Sequence, residues 1–176
     1  MESQKVNVSK LCSFYVSDWH LVTMLLPYIS KNIKEGTKIA TILEKDIEEN
    51  IYTLLERLNL KEEEQIKKIN WKNINEKKYT TVNKLMEGNL AQEELVIVNG
   101  SKDFIKRANE NINKYIEKNK EKLNGKNIKI VDCYEIIEFN GNINDILDNH
   151  NKILNTSGEK EINEIFEDYK KEEKIG

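Results

Sequence analysis

The sequence predicts a three-layer α/β domain, a mainly parallel sheet with helices on both faces. Three observations carry this. Short apolar runs of strand length recur as LCSFYV, KIATIL, LVIV and IKIVDC. Longer segments with apolar residues at helical spacing lie between them. Glycines stand where a helix has to stop, Gly36 after the first and Gly125 after the longest. Strands alternating with helices ask for crossover connections, and those favour parallel pairing.

Taken in order, residues 11–16 are the first strand, with Val6 and Val8 extending it or leading into it. The helix that follows carries Leu21, Val22, Leu25, Leu26, Tyr28, Ile29 and Ile33 on one stripe, with Ser17 or Asp18 as its cap. Pro27, the single proline, falls inside that stripe and is expected to kink the helix rather than end it, because the spacing resumes beyond it. Residues 38–43 make a strand covered on both faces. Ile47, Ile51, Leu54, Leu55 and Leu58 make the next helix, with Asp46 as a possible cap and Glu48 and Glu49 in the dipole-favoured first turn.

Residues 65–71, QIKKINW, read as a weaker strand, and 73–94 are the least legible part, with a short helix or extended piece at 79–86. LVIV stops at the turn Asn99-Gly100. A helix is expected over 102–123, a buried strand over 128–133, and a turn at Asn140-Gly141. Ile143, Ile146, Leu147, His150, Ile153 and Leu154 then mark a further helix, broken at Thr156-Ser157-Gly158. This divides the chain into one α/β domain, 1–158, and an amphipathic tail helix, 159–176, whose last residues should fray. Ile162, Phe166 and Tyr169 lie on one side of that tail, ready to dock on the body, a partner or a second copy.

Composition narrows the function classes. The charged fraction is 34% but the net charge only −3, so a general attraction to phosphate backbones is not expected. No apolar run approaches the ~20 residues needed to span a bilayer, and the first ten residues lack the apolar core of a signal peptide. A cytoplasmic location is therefore expected. Cys12 and Cys133 both sit in strand-like apolar surroundings, where buried reduced thiols are the plain reading.

In parallel sheets ligands gather beyond the carboxyl ends of the strands. There the sequence places Tyr15, Asp18, Trp19 and His20, then Glu44 to Asp46, Asn99 to Ser101, and Asp132, Tyr134 and Glu135. His20 is either a contact or simply solvated, and His150, on an apolar stripe, reads as a packed residue. No Cys/His spacing suggests zinc. Phosphate loop, nucleophile elbow, kinase signature and dinucleotide fingerprint are all missing, so no catalytic residue, cofactor or metal ligand is assigned.

At residues 10–46, KLCSFYVSDWHLVTMLLPYISKNIKEGTKIATILEKD, the chain resembles the MEDS sensory domain of methanogen and methylotroph regulators, dichloromethane-responsive repressors and proteins beside bacterial histidine kinases. The features that match are Phe14-Tyr15, Pro27, Gly36 and the strand running into Glu44 and Asp46, and the pattern continues to about residue 155. The resemblance implies a RecA/KaiC-like fold without the Walker A loop, in which Asp132 is a vestigial Walker B carboxylate and the domain senses or regulates without hydrolysing nucleotide. Lys10 replaces a histidine common in that family, 73–94 are extra or diverged, and the closing strand after the last core helix is missing.

The combined expectation is a non-catalytic regulatory domain that takes a small molecule or a signalling protein at the strand ends, through Tyr15, Asp18, Trp19, His20, Glu44, Asp132, Tyr134 and Glu135. The alternatives are a ligand-free adaptor and a divergent nucleotide-binding protein.

Overall fold

The computed structural model describes residues 5–73, 92–136 and 143–170. A six-stranded sheet runs through the described residues in the order β2-β3-β4-β1-β5-β6. Its strands are β1 (Asn7–Tyr15), β2 (Lys38–Leu43), β3 (Glu93–Asn99), β4 (Asn127–Glu135), β5 (Lys152–Asn155) and β6 (Gly158–Glu161). All neighbours are parallel except β5 and β6, which form an antiparallel hairpin. The chain is thus the expected α/β architecture, with helices on both faces of a mostly parallel sheet.

Alternation along each strand sorts the core into two halves. Leu11, Tyr15, Leu43, Leu95, Ile97, Val131 and Cys133 face α1 (Asp18–Lys34), α2 (Glu48–Arg57) and α3 (Glu63–Lys67). Cys12, Ile42, Val96, Val98, Ile128, Ile130 and Tyr134 face α4 (Lys102–Lys118), α5 (Asn144–Asp148) and the one-turn α6 (Ile162–Ile165). Residues 95–98 in β3 therefore read as an unbroken apolar run, because both faces of that strand are covered.

Local chemistry explains the ends of the helices. Ser17 caps α1, accepting from His20 N–H at 3.1 Å, and Ser101 caps α4, accepting from Phe104 N–H at 3.2 Å. Gly36 follows α1 with φ +86°, a conformation that only glycine adopts without strain. Pro27 lies exposed within α1, which continues past it to Lys34.

Five expectations need correction. Residues 65–71 are not a strand: Gln65 to Lys67 belong to α3, and Trp71 is fully buried. Trp71 Nε1–H donates to the Ile66 carbonyl at 2.9 Å, while its own carbonyl accepts from Ile47 N–H at 3.0 Å, so this segment lies beside β2 without joining the ladder. β2 is consequently a marginal strand, half-buried at Lys38–Ala40 and buried from Thr41 on, rather than one enclosed throughout.

The helix expected over 143–154 stops at Asp148, and residues 152–155 form β5. Ile153 and Leu154 enter opposite halves of the core, as neighbours on a strand do and neighbours on one helical stripe do not. The tail is not a helix from Glu159, since Gly158–Glu161 pairs with β5 and only one helical turn follows. This hairpin supplies the closing strands that the sequence pattern lacked. The long helix also ends at Lys118 rather than 123. The short helix or extended piece at 79–86, the turn at Asn140-Gly141 and the fraying end after Lys170 lie outside the described residues.

Candidate functional site

The carboxyl ends of β1, β2, β3 and β4 are tied to one another by their own side chains. Tyr15 is buried, and its hydroxyl accepts from Asn99 Nδ2 at 2.7 Å; the same amide donates to the Cys133 carbonyl at 3.2 Å. Burial pushes the Tyr15 hydroxyl up to about 12, against the opposing effect of the Asn99 hydrogen bond. It therefore remains a neutral phenol at physiological pH.

Beside it, Glu44 Oε1 accepts from Ser101 N–H at 2.8 Å, at the N-terminus of the seventeen-residue α4. A helix N-terminus attracts anions because its first amides lack helical partners and its dipole is positive there. Here the anion is the protein's own carboxylate. Gly100 makes this approach possible: a Cβ at that position would lie 2.8 Å from Glu44 Cβ and 2.5 Å from Phe104 Cδ1. Across the end of the sheet, Lys45 Nζ meets Glu135 Oε2 at 2.8 Å, and this hydrogen bond raises the ammonium above its usual value.

Asp18, Trp19 and His20 occupy the first turn of α1 as expected. His20 Nδ1 accepts from Val16 N–H at 3.0 Å, which makes it a local brace of the β1–α1 turn. Trp19 is 50% exposed, and Val16 and Ile136 are exposed at 55% and 47%. Tyr15 and Glu135 are paired in register, so Val16 and Ile136 leave adjacent strands side by side.

Asp132 and Tyr134 do not join this group. Both point to the face of the sheet opposite Tyr15, and Asp132 lies three residues before the end of β4, fully buried, in register with Cys12 and Val98. Asn109 Nδ2 donates to Asp132 Oδ1 at 2.9 Å. Its other carboxylate oxygen faces His150 Nε2 at 2.7 Å and Lys10 Nζ at 3.6 Å. His150 is buried as expected, but as a hydrogen-bond partner of Asp132 as well as a packed residue; Tyr134 meets its ring edge-on at 6.2 Å. Nothing in the local sequence of α4 singles out Asn109. The signal for the pair was two ionisable residues, Asp132 and His150, each embedded in an apolar pattern.

Tyr15, Glu44 and Asp132 consequently do not line one cleft. The tail residues also turn inward: Ile162 is buried, Phe166 packs edge-on against Phe14 at 6.3 Å, and the Tyr169 hydroxyl bonds to Asp148. Cys12 and Cys133 are buried on opposite faces, with burial raising the Cys12 thiol to about 12 and that of Cys133 higher still, so neither is a ready nucleophile. Among the described residues no group of three His, Cys, Asp or Glu is arranged to hold a metal ion, and no helix is long and apolar enough to cross a membrane. Comparison with protein-family models, with curated proteins and with solved structures finds no match to this chain.

Proposed function

We propose that the chain is a non-catalytic regulatory module of cytoplasmic signal transduction that works by docking a protein partner, such as a kinase or a transcription regulator, at the carboxyl ends of β1 and β4. The observation that carries this reading is the contrast at that end of the sheet. Tyr15, Glu44, Lys45 and Glu135 are engaged within the protein and only the buried Asn99 Oδ1 of this cluster is left without a partner among the described residues, whereas Val16, Trp19 and Ile136, next to the ends of β1 and β4 in the chain, stand exposed. A small ligand would have to displace an internal bond at Tyr15, Glu44 or Glu135, and Asn99 Oδ1 is buried beneath them, while a partner protein need only cover apolar surface. The resemblance of residues 10–155 to MEDS sensory domains supports the same class.

Photocrosslinking tests the proposal. A photoreactive residue in place of Trp19 should give one adduct of defined mass in the cells that make the protein, and Val16→Lys should remove it. A thermal-shift series with ATP, GTP and small metabolites should show no saturable shift. A saturable shift abolished by Trp19→Ala would instead establish a small-molecule sensor. Steady nucleotide turnover lost in Asp132→Asn would establish an enzyme.

A further inference from the structure

The C-terminal hairpin joins the sheet along a short seam. β1 runs beside β4 over nine paired residues, from Asn7↔Asn127 to Tyr15↔Glu135, but beside β5 over two, Leu11↔Lys152 and Cys12↔Ile153. Apolar packing supplements this seam, with Ile146, Leu147, Ile153 and Ile162 in one half of the core and Leu154 in the other, and a group of polar contacts marks the start of β5. Asn151 N–H donates to the Lys10 carbonyl at 2.7 Å, and Lys10 N–H donates to Asn151 Oδ1 at 2.8 Å. One residue earlier stands His150, bound to Asp132.

The hydrogen-bond partners dictate where the protons sit in this pair. His150 Nδ1 is 2.5 Å from the Ile146 carbonyl, which only accepts, so Nδ1 carries a hydrogen. Asp132 Oδ1 accepts from the Asn109 amide, and Oδ2 faces both the Lys10 ammonium and His150 Nε2. The side chains of Asp132 and His150 are 1% and 2% exposed. Taking His150 away would leave a buried carboxylate with only the Lys10 ammonium at 3.6 Å to balance it.

We propose that residues 143–170 form a detachable unit, and that the Asp132–His150 pair is the latch that holds it to a body which stays folded when the unit leaves. A docked and a released form of this unit give the chain a two-state element that a binding event can bias. The latch acts all or none, because a buried polar group that has lost its partner costs more than a fully paired one.

Native-state hydrogen exchange on the full chain, at several low denaturant concentrations, tests this. The amides of Asn151, Ile153, Leu154 and Lys160 should exchange together, through an opening that leaves Val96, Ile97 and Val131 protected at least tenfold longer. His150→Ala should lower protection of the first group by on the order of a further hundredfold and leave the second group unchanged. Asp132→Asn, whose amide still donates to a neutral Nε2, should give a smaller drop. If His150→Ala does not fold, Phe166→Ala, which trims the unit's contact with Phe14, carries the same comparison. The proposal is overturned if both groups exchange through one opening, or if the variant lowers both by the same factor.

Discussion

The body of the sheet and its C-terminal hairpin are held by different physics. β3 and β4 are enclosed by neighbours along most of their length, and most of their side chains are buried, with the apolar run 95–98 at the centre of β3. β5 and β6 have four residues each, and β6 is half-buried or exposed throughout. What they lack in apolar area they recover in specific polar contacts: His150 to Asp132, Asn151 to Lys10, Ser13 Oγ–H to the Leu154 carbonyl at 2.9 Å, and Glu159 to Tyr28 and Lys129. A hydrophobic layer tolerates many sequences provided its volume is kept, whereas a polar seam depends on particular atoms. The hairpin is therefore where single substitutions should act locally, and the body where they act globally.

The largest effect should come from the body. Ile97→Ala removes a fully buried side chain from β3 and should cost about 2–5 kcal/mol, read by denaturant unfolding as a loss shared by every part of the molecule. Loss confined to the hairpin would contradict the comparison. Gly100→Ala should cost about 1–3 kcal/mol, since the added methyl overlaps Phe104 and Glu44 at the end of β3. Its far-ultraviolet spectrum should be retained, because only the meeting of Glu44 with the α4 N-terminus has to shift.

The smallest effect belongs to the clamp on the hairpin, and it carries a pH signature. Burial pushes the Glu159 carboxyl up, but the Lys129 ammonium and the Tyr28 hydroxyl outweigh this and hold it below its usual 4.5. A carboxylate lowered on folding contributes stability that is present above about pH 4.5 and disappears as pH falls through its depressed value. Tyr28 shows the converse: burial, then the Glu159 charge, keep its hydroxyl protonated above the usual 10. Its contribution is full below pH 10 and declines as pH rises beyond it. Glu159→Gln should cost no more than about 1 kcal/mol at neutral pH, given the solvent screening of a partly exposed pair, and should flatten the acid limb of the stability profile. An unchanged acid limb would mean that the clamp adds nothing to stability.

The body was legible because its signals are local. In β1, β2, β3 and β4 the apolar runs match the observed strands to within a few residues at each end, and the stripes of α1, α2 and α4 face the core as their spacing requires. The hairpin was not. Ile146, Leu147, Ile153 and Leu154 satisfy helical spacing, yet the polar triplet Asn149-His150-Asn151 ends the helix, and the backbone of Lys10 offers Asn151 a partner. Gly158, with φ +103°, then lets the chain reverse into β6. QIKKINW failed for a related reason: Trp71 was read as strand composition, whereas its burial comes from packing beside the margin of the sheet.

The candidate site divides in the same way. Tyr15, Glu44 and Glu135 stand at the strand ends where the pattern placed them, but parity along β4 sends Asp132 and Tyr134 to the face opposite Tyr15, deeper on the side covered by α4. By itself the sequence determined which segments alternate, which faces are apolar and where the strands end, because these follow from periodicity along a single chain. The tertiary structure alone decided that β1 lies between β4 and β5, that Glu44 fills the anion position of α4, and that Asp132 finds His150, because those contacts join residues far apart in the chain and depend on backbone groups left unpaired by their neighbours.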